Sequence, residues 1–196
     1  YEQSNTYFLA ANRLNPDDAK LKTEVARLYF EQGLKAQAVN VLKQLSQAYP
    51  LDAQYLAGLG KIYYLAGDYG FAKETLLKAL KMNDEHIEAL EGLALTYLAT
   101  EEYENAIKTY KRLIHIDPSD AQWYFAQAKI YQKAGNLEEA FKHFKLTTQV
   151  NFNYPLAHFE TAQMAARLGR TGNAEEEKLK EIKINPHLKE PYLALG

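Results

Sequence analysis

The sequence has no cysteine among its 196 residues. That removes disulfide frameworks, thiolate nucleophiles, Fe–S clusters and Cys-ligated zinc, while leaving the redox compartment open. An excess of one charge sign is missing too: 23 Lys+Arg stand against 25 Asp+Glu, for a net charge of −2. A general nucleic-acid or anionic-membrane binder needs a basic excess to displace counterions or adhere to phosphate, so neither is expected. Long hydrophobic runs are absent as well. The longest run free of Asp, Glu, Lys and Arg, Leu146 to Phe159, is broken by Thr, Gln, Asn and Pro, whereas a membrane span takes about 20 apolar residues. No membrane insertion is expected, and the chain reads as soluble. It opens Tyr1-Glu2-Gln3 without Met or a charged-then-apolar leader, which reads as a piece of a longer protein whose localisation lies outside the sequence.

Catalytic signatures are missing in the same way. The histidines (His86, His115, His143, His158, His187) form no HExxH and no HxxxH, so a metal site has no sequence basis and helix-surface or groove positions are expected for them. Glycines stand singly, in neither GxGxxG nor GxxxxGK[ST] order, and GxSxG and SxxK do not occur. Glu101-Glu102 falls at a turn, where solvation accounts for it. The expectation is a non-enzyme with no cofactor and no metal.

What the sequence does have is a repeat. Ala38, Ala72, Ala106, Ala140 and Ala174 are each 34 residues apart, and so are Ala26, Gly60, Ala94, Ala128 and Ala162. Tyr29, Tyr63, Tyr97 and Tyr131 form a third column, continued by Ala165. Pro16, Pro50, Pro118 and Pro186 share one phase, with Asp84 and Phe152 in the gaps, and Gly33, Gly67, Gly135 and Gly169 share another, broken by Glu101. Within the unit 53–86, Leu56, Leu59, Gly60, Tyr63 and Tyr64 recur at helical intervals. Gly67-Asp68 interrupts them, and Ala72, Leu76, Ala79 and Leu80 resume the period in a second helix. Each unit is therefore a helical hairpin. Gly inside a helix costs about 1 kcal/mol relative to Ala, so Gly60 implies a close approach of two backbones.

Leu56-x-x-Leu59-Gly60-x-x-Tyr63 followed by Ala72-x-x-x-Leu76, and Tyr124-x-x-Gln127-Ala128-x-x-Tyr131 followed by Ala140-x-x-x-Phe144, resemble the tetratricopeptide repeat. The resemblance covers essentially the whole chain. It implies an all-α, right-handed superhelical solenoid of antiparallel helical hairpins over 1–196, with full units at 19–52, 53–86, 87–120, 121–154 and 155–188. Residues 1–18 fit the second helix of a preceding unit and 189–196 the start of a further one. In the last full unit Lys178 and Glu181 replace apolar residues and Glu175-Glu176-Glu177 is a charge run. A solvated, weakly packed late hairpin is expected there.

The resemblance also implies that ligands, extended peptides or a partner's helix, lie on a concave face lined by the first helices. Helical geometry puts the second, fifth, ninth, twelfth and thirteenth residues of each unit on that stripe. In units two to five it reads Gln54, Ala57, Lys61, Tyr64, Leu65; Glu88, Glu91, Leu95, Leu98, Ala99; Gln122, Phe125, Lys129, Gln132, Lys133; and Leu156, Phe159, Gln163, Ala166, Arg167. From it, Lys61, Tyr64, Leu95, Leu98, Phe125, Lys129, Lys133, Phe159, Gln163 and Arg167 are the candidate partner contacts. Phe125 and Phe159 lead the set, because Tyr124 and His158 beside them hold the usual packing position. Tyr64, Leu65 and Leu98 fit a core role equally well, and Lys61 and Lys129 fit plain solvation.

Two known ligand modes of the family do not match. A carboxylate clamp would need Lys, Asn and Arg where Thr23, Arg27, Gly58, Glu88 and Gly92 stand, and an inner Asn ladder would need Asn at Glu24, Gly58, Gly92, Ala126 and Glu160. The expected role is a non-catalytic scaffold whose partner is another protein, offering an apolar and acidic segment. Two further roles stay open: a recruiting or regulatory segment of a multidomain enzyme, and a module that forms homo-oligomers through its repeat ends.

Overall fold

The computed structural model describes residues 19–49 and 52–186. The flanking pieces expected at 1–18 and 189–196, with Pro16, Pro50 and His187, lie outside the described residues. Those that are described form ten helices and no strand: α1 (Ala19–Glu31), α2 (Lys35–Ala48), α3 (Ala53–Ala66), α4 (Tyr69–Met82), α5 (Ile87–Ala99), α6 (Tyr103–Ile116), α7 (Ala121–Lys133), α8 (Leu137–Val150), α9 (Ala157–Arg167) and α10 (Thr171–Ile184). The chain divides into two compact units, 1–102 and 103–196. In the first, α1 pairs with α2 and α3 with α4, while α5 packs on both α3 and α4. In the second, α7 pairs with α8 and α9 with α10, α6 packs on α7 and α8 on α9.

The repeat columns have clear local causes. Asp52 and Asp120 accept hydrogen bonds from the backbone N–H groups of Gln54 and Gln122, each at 2.9 Å, and so start α3 and α7. Gly33, Gly67, Gly135 and Gly169 have φ between +73° and +86°, a left-handed conformation that ends a first helix and that glycine adopts without strain. Where the column breaks, Glu101 adopts φ +60° itself. The small-residue columns do bring backbones together. Leu76 of α4, with no exposed surface, lies under both Gly60 of α3 and Gly92 of α5. A Cβ at Gly60 would stand 2.5 Å from the Leu76 Cγ, and one at Gly92 would stand 3.0 Å from its Cδ2.

In the second unit Ala128, Ala140, Phe144 and Met164 make a buried core, with Phe125, Tyr131, Leu137 and Phe141 packed against it. The last hairpin departs from expectation. Helix α9 begins at Ala157 rather than Pro155, and Leu156, placed by the sequence on the helical stripe, is its N-cap residue at φ +63° with no side-chain cap. The missing cap comes from the other helix. Glu181 of α10, wholly buried, accepts the backbone N–H of Phe159 at 3.3 Å and the side-chain amide of Asn185 at 2.6 Å. His158, 2% exposed, donates from Nε2 to the Phe152 carbonyl at 2.9 Å and meets Glu177 through Nδ1. Glu175 and Glu176 are exposed as expected, but the weakly packed hairpin is corrected at Glu181 and His158 to one held by buried polar contacts, with Leu179 as its exposed apolar residue. His158 is buried, as its packing position implies, and not on the helix surface or in the groove where the histidines as a group were expected.

Burial would push the Glu177 carboxyl up, but the hydrogen bonds from His158 and Lys180 outweigh it and hold the group below its ordinary value. A depressed folded value means that Glu177 adds stability above the ordinary carboxylate range and loses it as pH falls through the folded value. Thermal melts of the chain and of Glu177→Gln should therefore converge as pH drops from about 5 to about 3. A gap between them that stays constant over that interval would exclude this role.

Candidate functional site

Each unit presents its own first-helix face. In the first, α3 carries Lys61 and Tyr64 and the adjoining α5 carries Leu95 and Leu98. Lys61 is exposed and makes no ion pair or hydrogen bond with another described residue. Tyr64 is half-buried with its ring 5.9 Å from that of Tyr69, and Leu95 and Leu98 are half-buried. Leu65 is 44% exposed and extends the apolar surface towards the hairpin turn. At the opposite end of these helices the polar groups satisfy one another. Gln54 donates to Glu88 at 2.7 Å, and His86 accepts the Ala89 N–H at Nδ1, so its Nε2 donates to the Gln54 carbonyl oxygen at 3.2 Å.

In the second unit the candidates fall in three rows across α7 and α9, each row pairing residues that occupy the same place in successive repeats. Phe125 and Phe159 form the first row, Lys129 and Gln163 the second, Lys133 and Arg167 the third. Phe125 is not a spare aromatic: its ring lies 5.3 Å from Phe144 and 5.1 Å from Tyr154, so it is half-buried between hairpins. Burial pushes the Tyr154 hydroxyl up, which keeps it neutral beside this ring. Phe159 is half-buried and stacks on no other ring among the described residues.

Lys129 is a paired cation. Its Nζ donates to Glu160 at 2.5 Å and to Gln132 at 3.2 Å, and Gln132 donates to the other Glu160 oxygen at 3.2 Å. It also stands 5.9 Å from the Phe125 ring centre. Glu160 is 8% exposed, so this pair is shielded from solvent on the carboxylate side. Lys133, Gln163 and Arg167 are exposed and make no ion pair or side-chain hydrogen bond with another described residue. The sequence gives no sign of the Lys129–Glu160 pair, because residues 31 apart come into contact only through the packing of successive hairpins.

Among the described residues no group of three or more His, Asp and Glu could hold a metal ion, and no helix is long and apolar enough to cross a membrane. Sequence models described as tetratricopeptide repeat match residues 1–62, 63–130 and 125–187. The chain belongs to the tetratricopeptide repeat family. Among curated relatives of this repeat protein, the BBSome complex member BBS4 of Bos taurus is 30% identical over 141 residues, covering 69% of this chain and 26% of the relative. Anaphase-promoting complex subunit 3 of Schizosaccharomyces pombe is 24% identical over 146 residues, covering 74% of this chain and 22% of the relative. The chain thus spans about a quarter of the length of these relatives. Solved tetratricopeptide folds superpose well: MamA of Desulfovibrio magneticus RS-1 at a TM-score of 0.76 and 21% identity, over 88% of this chain and 98% of that one. YrrB, described as a TPR protein with an unusual peptide-binding site, gives 0.71 at 21% identity, over 95% of this chain and 96% of that one. The all-α array of helical hairpins expected from the sequence is the fold found, and a protein-interaction scaffold is what this family membership supports.

Proposed function

We propose that this tetratricopeptide segment is a non-catalytic scaffold that binds another protein through a segment mixing apolar anchors with Asp or Glu, laid on the first-helix faces. The observation that carries this is the combination, on α7 and α9, of the half-buried aromatics Phe125 and Phe159 with Lys133 and Arg167, exposed cations that pair with no other described residue. Apolar contacts supply most of the affinity in such a surface, and exposed charge sets orientation and on-rate. A net charge of −2 disfavours nucleic acid as the ligand. The relatives described as members of complexes and the neighbour described as peptide-binding fit the same role.

A peptide array probed with the chain tests it: peptides with apolar and acidic residues should be retained over matched peptides with apolar and basic residues. Equal retention of both sets would overturn the reading. The alternative role is that of a segment recruiting or regulating a catalytic domain elsewhere in a longer chain. Self-association remains a third, and light scattering of the chain at rising concentration separates it from both.

A further inference from the structure

Resting on the proposed peptide-binding role, a regulation of the α9 face follows from a count of protons at its first turn. Helix α9 has no side-chain cap at its N-terminus, and Leu156 enters it at φ +63°. Two contacts from His158 hold that entry: Nε2 lies 2.9 Å from the Phe152 carbonyl oxygen, and Nδ1 meets the Glu177 carboxylate of α10. Both of these partners accept and neither donates, provided Glu177 is ionised. It is: burial pushes its carboxyl up, but the hydrogen bonds from His158 and Lys180 outweigh this and hold it below its ordinary value. Each ring nitrogen of His158 must therefore carry a hydrogen, so the ring is an imidazolium. An unpaired cation at a site 2% exposed would be costly to desolvate, and Glu177 supplies the counter-charge while Lys180, 2.8 Å from the other carboxylate oxygen, supports it. His143 is built the opposite way. Its Nδ1 is buried with no hydrogen-bond partner among the described residues, its ring stacks on Tyr131 at 5.2 Å, and burial pushes it down.

The other charged groups of the helices packed here are engaged elsewhere. Glu181 of α10 holds the Phe159 N–H and Asn185, and Glu160 of α9 is held by Lys129 and Gln132 of α7. On α8, which also packs on α9, Glu138 pairs with Arg170, Glu139 lies 3.6 Å from Lys142, and Lys145 is exposed. A ring that loses one proton can therefore donate to only one of its two acceptors. The ionised carboxylate is the stronger of them and keeps the hydrogen bond, which leaves the Phe152 carbonyl facing a nitrogen lone pair. The paired state is complete on the acid side of that loss and broken on the alkaline side, and its lower bound is the protonation of Glu177. Phe159 follows His158 directly in the chain. We infer that the buried His158 imidazolium, bridging the Phe152 carbonyl and Glu177, is a proton-controlled latch on the partner-binding face: charged, it fixes the first turn of α9 and with it Phe159, and on losing one proton it lets go of Phe152 and loosens the hold on the partner.

The test combines nuclear magnetic resonance of the chain labelled with 15N-histidine and fluorescence anisotropy with an end-blocked decapeptide holding two Leu and two Asp, both followed from about pH 6 to about pH 9. At pH 6.5, the ordinary histidine value, His158 should show a proton on both ring nitrogens and His143 on one. As pH rises, affinity for the decapeptide should fall by roughly tenfold, the worth of one hydrogen bond to a charged group, with the same midpoint as the loss of the second His158 proton. Glu177→Gln supplies a variant that keeps both contacts without the charge, because its side-chain amide donates to a neutral Nδ1. Its His158 should carry one proton, on Nε2, at pH 6.5, and its affinity should stay flat to pH 9. A single ring proton on His158 of the unaltered chain at pH 6.5 overturns the inference while the scaffold role stands. So does an affinity that stays level while the second proton is lost, or one that falls equally in Glu177→Gln. If the decapeptide binds at no pH, the scaffold reading fails and the regulation fails with it, whatever the proton count.

Discussion

Replacing Gly60 by Leu should lower the stability of the chain by about 1–3 kcal/mol, and each kcal/mol should appear as a fall of roughly 2–4 °C in the melting midpoint followed by circular dichroism. Overpacking is the cause. Even a Cβ would stand 2.5 Å from Leu76 Cγ and 2.8 Å from its Cδ2, and Leu76 is enclosed on its other side by Gly92. Leu76 has no exposed surface and cannot swing away. Leu76→Ala alone should cost about 2–5 kcal/mol through the cavity it leaves. The double variant should then be less destabilised than the sum of the two, because the introduced Leu fills the vacated space. Strict additivity, or a Gly60→Leu protein that melts like the original, would show that the three helices do not meet at this point.

The second large effect separates two aromatics that the sequence treats alike. Phe125→Ala should cost about 2 kcal/mol of stability or more, since the ring closes the space between Phe144 and Tyr154. Phe159→Ala should change the melting midpoint little, as for most partly exposed side chains, yet weaken an apolar and acidic peptide by about 1–2 kcal/mol. Calorimetric melting and peptide anisotropy on both variants check this. A Phe159→Ala protein with intact peptide affinity would remove the aromatic row from the site, and a stable Phe125→Ala protein would return Phe125 to the surface.

These outcomes mark where the sequence was informative. The close approach at Gly60 was legible because glycine inside a helix is costly unless two helices must come together there, whereas Leu76 as the side chain beneath it was not. The hairpin turns were legible through the glycine column, and the left-handed Glu101 shows that the turn geometry persists where the glycine does not. The identity of partners across hairpins was not legible. Lys129 and Glu160 look like independent surface charges until the packing of their hairpins brings them together. The late start of α9 was hidden for a similar reason, since Leu156 carries no residue-type signal for φ +63°. Glu175 and Glu176 are exposed as expected, but Glu181 was misread as solvated because the backbone N–H that it satisfies belongs to another helix.

Because Glu181 completes the first turn of α9 from the far end of the hairpin, α9 does not have an autonomous beginning. Any shortened version of the chain that stops between Arg170 and Glu181 removes the acceptor for the Phe159 amide along with the second helix, and one that stops before Glu177 also strips the partner from His158. The choice of a cut site therefore sets the fate of residues upstream of it: a boundary placed at a turn, the natural place to divide helical repeats, would here unseat the helix that carries Phe159, Gln163 and Arg167.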